Sequence, residues 1–188
     1  MANILNPYAD WPSQTSVFGV LPPVSRSHTS NPPVFTFNYV TLSPDVLNCT
    51  ITGPDAVPYL HVTTVDGGYR TVFSKSNSGG LARIDWAGHA SVDIPNCMGK
   101  QFIGQWLVPA GGGRRIMTVR GSRFMWASGD NCIYLDRDGA PPSNHPLARI
   151  YHVREAITLE LTIEAVQLGL LEAAIVATVV FRSNRNFD

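Results

Sequence analysis

Residues 157–181 read ITLELTIEAVQLGLLEAAIVATVVF. The first seven, Ile157 to Ile163, form a strand-like run in which Leu159, Leu161 and Ile163 alternate with Glu160 and Thr162, the period of a half-buried strand. The stretch from Glu164 to Phe181 is apolar on nearly every face. A helix of that kind lies inside something, either a protein core or a bilayer. Its 18 residues would span about 27 Å, close to the ~30 Å of a hydrocarbon layer. Length alone therefore favours neither. Glu172 stands in mid-segment, where a carboxylate costs about 2.5–3.5 kcal/mol to insert. The apolar run Ala173 to Phe181, interrupted at Thr178, is short, and the segment follows a strand almost without a link. These features predict a core helix over about 165–182, with Arg182 and Arg185 at its C-terminal end, where positive charge is favoured. No transmembrane span is expected.

Upstream, from Val34 onward, short apolar-rich runs alternate with turn residues every 8–12 positions or so, the pattern of an all-β chain. The runs are 34–40, 46–52, 59–65, 69–74, 81–87, 90–94, 102–108, 115–119, 123–127, 132–135, 147–153 and 157–163. Between them fall Gly53-Pro54-Asp55, Asp66-Gly67-Gly68, Asn77-Ser78-Gly79-Gly80, Gly111-Gly112-Gly113 and Asp138-Gly139, each with turn chemistry. About twelve strands need a layer partner, and the only candidate is the closing helix. A closed or nearly closed antiparallel barrel around that helix removes the sheet edges and buries the helix in one arrangement. Residues 1–33, with Pro7, Pro12, Pro22, Pro23, Pro32 and Pro33, read as an irregular arm. The expected domain is 34–188.

The chain has 188 residues, 44% hydrophobic and 15% charged, with zero formal net charge. Lys75 and Lys100 are its only lysines. Nucleic-acid binding is not expected, because it needs a clustered basic face. Cys49, Cys97 and Cys132 are odd in number and widely spaced, which suggests neither a disulfide framework nor a zinc site. The N-terminal stretch lacks the basic and apolar regions of a secretory signal. A cytoplasmic setting is the expectation, with the membrane periphery left open.

Several stretches carry a likeness: Asn6-Pro7-Tyr8 leading to Val17-Phe18-Gly19-Val20-Leu21-Pro22; Leu47 to Pro54; Ala82-Arg83-Ile84-Asp85-Trp86; Arg123-Phe124-Met125-Trp126; Leu147-Ala148-Arg149-Ile150; and the tail from Glu164 to Ala173. With about twelve strands and a closing hydrophobic helix, the chain resembles the tubby C-terminal-like fold, shared with LURP-one-related and scramblase-like proteins. More closely, it resembles an uncharacterised family of mushroom-forming basidiomycete fungi assigned to that superfamily. The resemblance implies a fold more than a function. Tubby holds phosphoinositide headgroups on a lysine- and arginine-lined surface, and none of those residues is carried over here.

Arg114, Arg115, Arg120 and Arg123 are the densest basic group. They fall on two neighbouring strands joined at Gly121-Ser122, where some could share a face and grip a phosphate or carboxylate; the plainer reading is a solvated hairpin edge. An anionic ligand or lipid headgroup is the partner this group suggests. Asp85, His89 and Asp93 could form an acid–base or metal group, against ordinary turn polars. Trp86, Trp106 and Trp126 could make a stacking platform, against core packing. No nucleophile elbow, phosphate loop or dinucleotide fingerprint is present, so no catalytic residue, metal or cofactor is assigned. The expected function is a non-catalytic intracellular binding or scaffold protein. The alternatives are a peripheral anionic-lipid binder or lipid mover, and an enzyme with an unrecognised acid–base site.

Overall fold

The computed structural model describes residues 33–41, 45–75, 78–141, 144–154 and 156–187. The proline-rich arm, with Trp11 and His28, lies outside the described residues. The elements are β1 (Val34–Val40), β2 (Cys49–Thr52), β3 (Pro58–Val65), β4 (Arg70–Lys75), β5 (Ser78–Asp85), β6 (Ser91–Ile94), β7 (Met98–Phe102), α1 (Ile103–Trp106), β8 (Leu107–Pro109), β9 (Arg115–Val119), β10 (Ser122–Ser128), β11 (Cys132–Arg137), β12 (Ala148–Val153), β13 (Ala156–Thr162), α2 (Ile163–Gln167) and α3 (Leu171–Arg182). All 13 strands belong to one sheet, in the order β7-β6-β5-β4-β3-β2-β1-β13-β12-β11-β10-β9-β8. Every neighbouring pair is antiparallel. The chain enters at the centre, and β1 pairs with β13 from Val34↔Thr162 to Tyr39↔Ile157.

Alternation along the strands sorts the side chains. Phe37 and Tyr39, Leu60 and Val62, Met117 and Val119, Phe124 and Trp126, and Leu159 and Leu161 all point into one core and are buried. Against them lies α3, whose residues from Ala173 to Val180 are buried without a break. Eight consecutive buried positions cover every face of a helix, so the core-helix expectation holds for this segment. Tyr39 donates its hydroxyl to the Ile175 carbonyl at 3.0 Å, and Phe181 meets the Trp126 ring edge-on at 5.5 Å. Thr178 satisfies its hydroxyl within the helix, donating to the Ala174 carbonyl at 2.8 Å. Among the described residues no helix is long and apolar enough to cross a membrane.

Two expectations are corrected. The run 102–108 is not a strand. Ile103, Trp106 and Leu107 are buried while Gln105 is exposed, which is helical spacing, and the chain makes one turn (α1) between two short strands. That raises the strand count from twelve to 13. The closing helix is not continuous either. It breaks at Leu168-Gly169-Leu170, where Gly169 takes φ +74° and ends α2 with a left-handed residue. In the expected closed or nearly closed barrel the two ends of the sheet lie together; the ladders show one 13-stranded antiparallel sheet whose edges, β7 and β8, share no ladder. Strands alternate in direction across the order, so the first and last of 13 point the same way. These two edges are also consecutive in the chain, with only the four residues of α1 between them.

Candidate functional site

The β9–β10 hairpin places the four arginines at two ends. Arg114 closes the exposed glycine loop, its backbone N–H bonded to the Gly111 carbonyl at 3.0 Å. Arg115 opens β9 on the inward row with Met117 and Val119; it donates to the Leu107 carbonyl at 3.0 Å and lies 4.7 Å from the Phe187 ring centre. Arg120 sits in the far turn, about 16 Å along the strand, with φ +50°. Arg123 stands opposite Thr118 on the outward row and pairs with Asp138 at 3.0 Å. No single face gathers all four.

Asp85, His89 and Asp93 do not converge. Asp85 takes Lys100 Nζ at 3.0 Å and Arg70 Nε at 3.1 Å, with Arg83 Nε at 3.6 Å. Partial burial pulls its carboxyl upward, but the hydrogen bonds from Lys100 and Arg70 and the nearby cations win, and it titrates below the ordinary aspartate range. His89 turns to the Phe102 ring, 5.8 Å away, and Asp93 lies across from Arg83. Among the described residues no cluster of histidine, cysteine and acid side chains is arranged to hold a metal ion. Trp86, Trp106 and Trp126 are buried; Trp86 donates to Thr71 Oγ1 at 2.8 Å. They pack and present no platform.

Glu172, for which the sequence suggests an arginine partner, faces the β6–β7 turn. The β6–β7 turn supplies Asn96 Nδ2 at 3.1 Å and Cys97 Sγ at 3.6 Å from its two carboxylate oxygens. Burial, then the Glu172 charge, pushes the Cys97 thiol up to about 11, so this is not an activated nucleophile. Arg120 reaches the same corner, lying over Gly169 and donating to the Asn96 carbonyl at 3.4 Å. At the other end of α3, Arg185 Nη1 donates to the Gly68 carbonyl at 2.6 Å and stacks 5.0 Å over the Trp86 ring. Half-buried Arg182 has its pKa lowered by desolvation; beside it, His152 is depressed by burial and by the Arg182 charge.

The outer face of β12 and β13 holds a small cleft of about 130 Å³ beneath the segment His145–Leu147. Arg149 on β12 is the direct cross-strand neighbour of Glu160 on β13, and both line the cleft. Thr162 forms part of the floor; its Oγ1 caps α2 by accepting the Ala165 N–H at 3.1 Å. The tight turn between Val153 and Ala156 sets this register. Counting back from that turn was the signal that could have paired Arg149 with Glu160 from sequence.

Fold and site together define a mainly β protein, one antiparallel sheet packed on a buried C-terminal helix, with polar clusters confined to its outer face and rims. Residues 44–186 match a family of unknown function, DUF6593, and the chain belongs to that family. No curated protein and no solved structure matches the chain.

Proposed function

We propose that this is a non-catalytic binding or scaffold protein that meets its ligand on the outer surface of a tubby-like barrel. In this reading the sheet rolls around α3, and residues 98–109 form the seam. They run in one direction, pair first with β6 and then with β9, and complete twelve traversals, an even number that antiparallel closure requires. The observation that carries the proposal is the unbroken burial of Ala173 to Val180. The space where a lipocalin-like barrel would hold a ligand is filled by the protein's own helix. Three free cysteines fit a reducing, intracellular setting. Titration with a fluorescent fatty acid tests the proposal. Native protein takes up none; saturable, stoichiometric uptake into the interior would overturn it.

A second reading, peripheral binding to anionic lipid, rests on Phe102 and Val108. They are 48% and 44% exposed, and the exposed Arg114 returns beside the end of β8, its carbonyl accepting the Ala110 N–H at 3.0 Å. Apolar and arginine side chains together suit a membrane surface. Flotation with vesicles of phosphatidylcholine and phosphatidylserine at low salt decides it. Binding that is lost in the double variant Phe102→Ser and Arg114→Gln supports this reading, and no flotation ends it.

A further inference from the structure

The outer face of β12 and β13 carries a charged pair that stays open. Arg149 and Glu160 are directly opposite across the ladder, a placement in which opposite charges attract at Cβ separations of about 4.5–5.5 Å. Each turns to another group instead. Arg149 Nη2 donates to the Asn144 carbonyl at 3.2 Å, and Glu160 Oε1 accepts the Tyr151 hydroxyl at 2.7 Å. Both side chains are thus held in place while keeping binding capacity. A guanidinium has further N–H donors in a planar fork, and a carboxylate has a second oxygen.

Apart from His145 and Thr162, the remaining lining is apolar. Val34, 44% exposed at the rim, joins Pro146 and Leu147 along its walls. A volume of about 130 Å³ is roughly four water volumes at ~30 Å³ each. A nucleotide would be enclosed only in small part. One fixed cation, one fixed anion and a short apolar wall complement a molecule carrying a carboxylate, an ammonium and a few methyl groups. A simple acid or a simple amine would engage only one of the two charges and leave the other to water, so it gains less from the cleft.

We propose that this cleft binds a small free α-amino acid with a short aliphatic side chain, its carboxylate on Arg149 and its ammonium on Glu160. The inference rests on the outer-surface reading above and names a ligand class for it. L-valine is the probe, with isovalerate and isobutylamine as its two half-molecules, titrated into the full chain and followed by backbone amide shifts. Saturable shifts are expected around Arg149, Glu160 and Thr162, with Kd on the order of 1 mM for so few atoms. Each half-molecule binds at least about tenfold more weakly, and so do R149Q and E160Q, as expected for loss of a charged hydrogen bond. E160Q keeps an acceptor for Tyr151. Should R149Q disturb the spectrum elsewhere, R149K, which keeps the charge and loses the fork, serves in its place. The proposal is overturned by absence of saturable shifts up to ~50 mM, by shifts centred elsewhere, or by variants that bind as the parent does. Failure here leaves the fatty-acid result standing, whereas uptake in that experiment would overturn the surface reading whatever valine does.

Discussion

Replacing Gly169 by alanine probes the break between α2 and α3, and the sign of the effect is informative. Gly169 sits at φ +74°, and a Cβ there would stand 2.5 Å from Arg120 Nη1 and 2.8 Å from Arg120 Cζ. The left-handed conformation costs a non-glycine residue about 1–2 kcal/mol. The guanidinium is the far end of a flexible, exposed side chain, so it swings away and forfeits its 3.4 Å bond to the Asn96 carbonyl, at most about 1 kcal/mol. The sum is a destabilisation of about 2 kcal/mol, or roughly 4–8 °C in Tm for a chain of this size. Chemical denaturation of G169A, of R120A and of the double variant separates the two parts. In the R120A background the alanine still costs about 1–2 kcal/mol, because the backbone strain remains. If residues 164–181 were one straight helix, the same substitution would stabilise the protein by about 1 kcal/mol through helix propensity. A neutral or stabilising result would refute the break.

The core and the caps give further expectations. Ile175→Ala, at a fully buried position on α3, lowers stability by about 2–5 kcal/mol, while Val108→Ser on the exposed face stays within about 0.5 kcal/mol; denaturant midpoints distinguish them. Thr162→Ala removes the cap of α2 and a bond to the Leu147 carbonyl, costing about 1–2 kcal/mol. Burial, then the Asp45 charge, pushes the Cys49 thiol up to about 12 from 9.0. The unfolded thiol therefore loses its proton first, so this contribution is complete below pH 9 and declines as pH rises toward 12. Cys49→Ala flattens that alkaline decline, measured as denaturation midpoint against pH. Asp85 has the opposite sign: its folded carboxyl titrates below 3.8, so its contribution is present above that pH and disappears in acid. Asp85→Asn flattens the acid limb.

Much of this architecture was readable from local pattern. The alternation in Val34–Val40 and Arg115–Val119 gave strands with the observed bounds, because one face of each meets the core. The apolar density of residues 173–181 announced burial, because eight covered positions in a row leave no polar side. The misreadings have equally local causes. Phe102–Val108 contains enough β-formers to pass as a strand, while the three-and-four spacing of Ile103, Trp106 and Leu107 pointed to a turn of helix. Gly169 was submerged in an apolar run, although only its backbone freedom allows α2 to stop there. The arginines were misleading because a hairpin places alternate residues on opposite faces. Arg115 shares the inner row with Met117, whereas Arg123 stands outside opposite Thr118. Arg149 and Glu160 are eleven positions apart, and only the register of β12 against β13 makes them neighbours.

Native-state hydrogen exchange of the α3 amides tests most directly whether this helix is the buried core against which the sheet packs. Ala173 to Val180 are predicted to exchange only through global unfolding, with the same free energy and denaturant dependence as the central strand residues Leu159 and Leu161. Exchange of α3 through a smaller opening, while β1 and β13 remain protected, would contradict a helix buried in the core against the sheet.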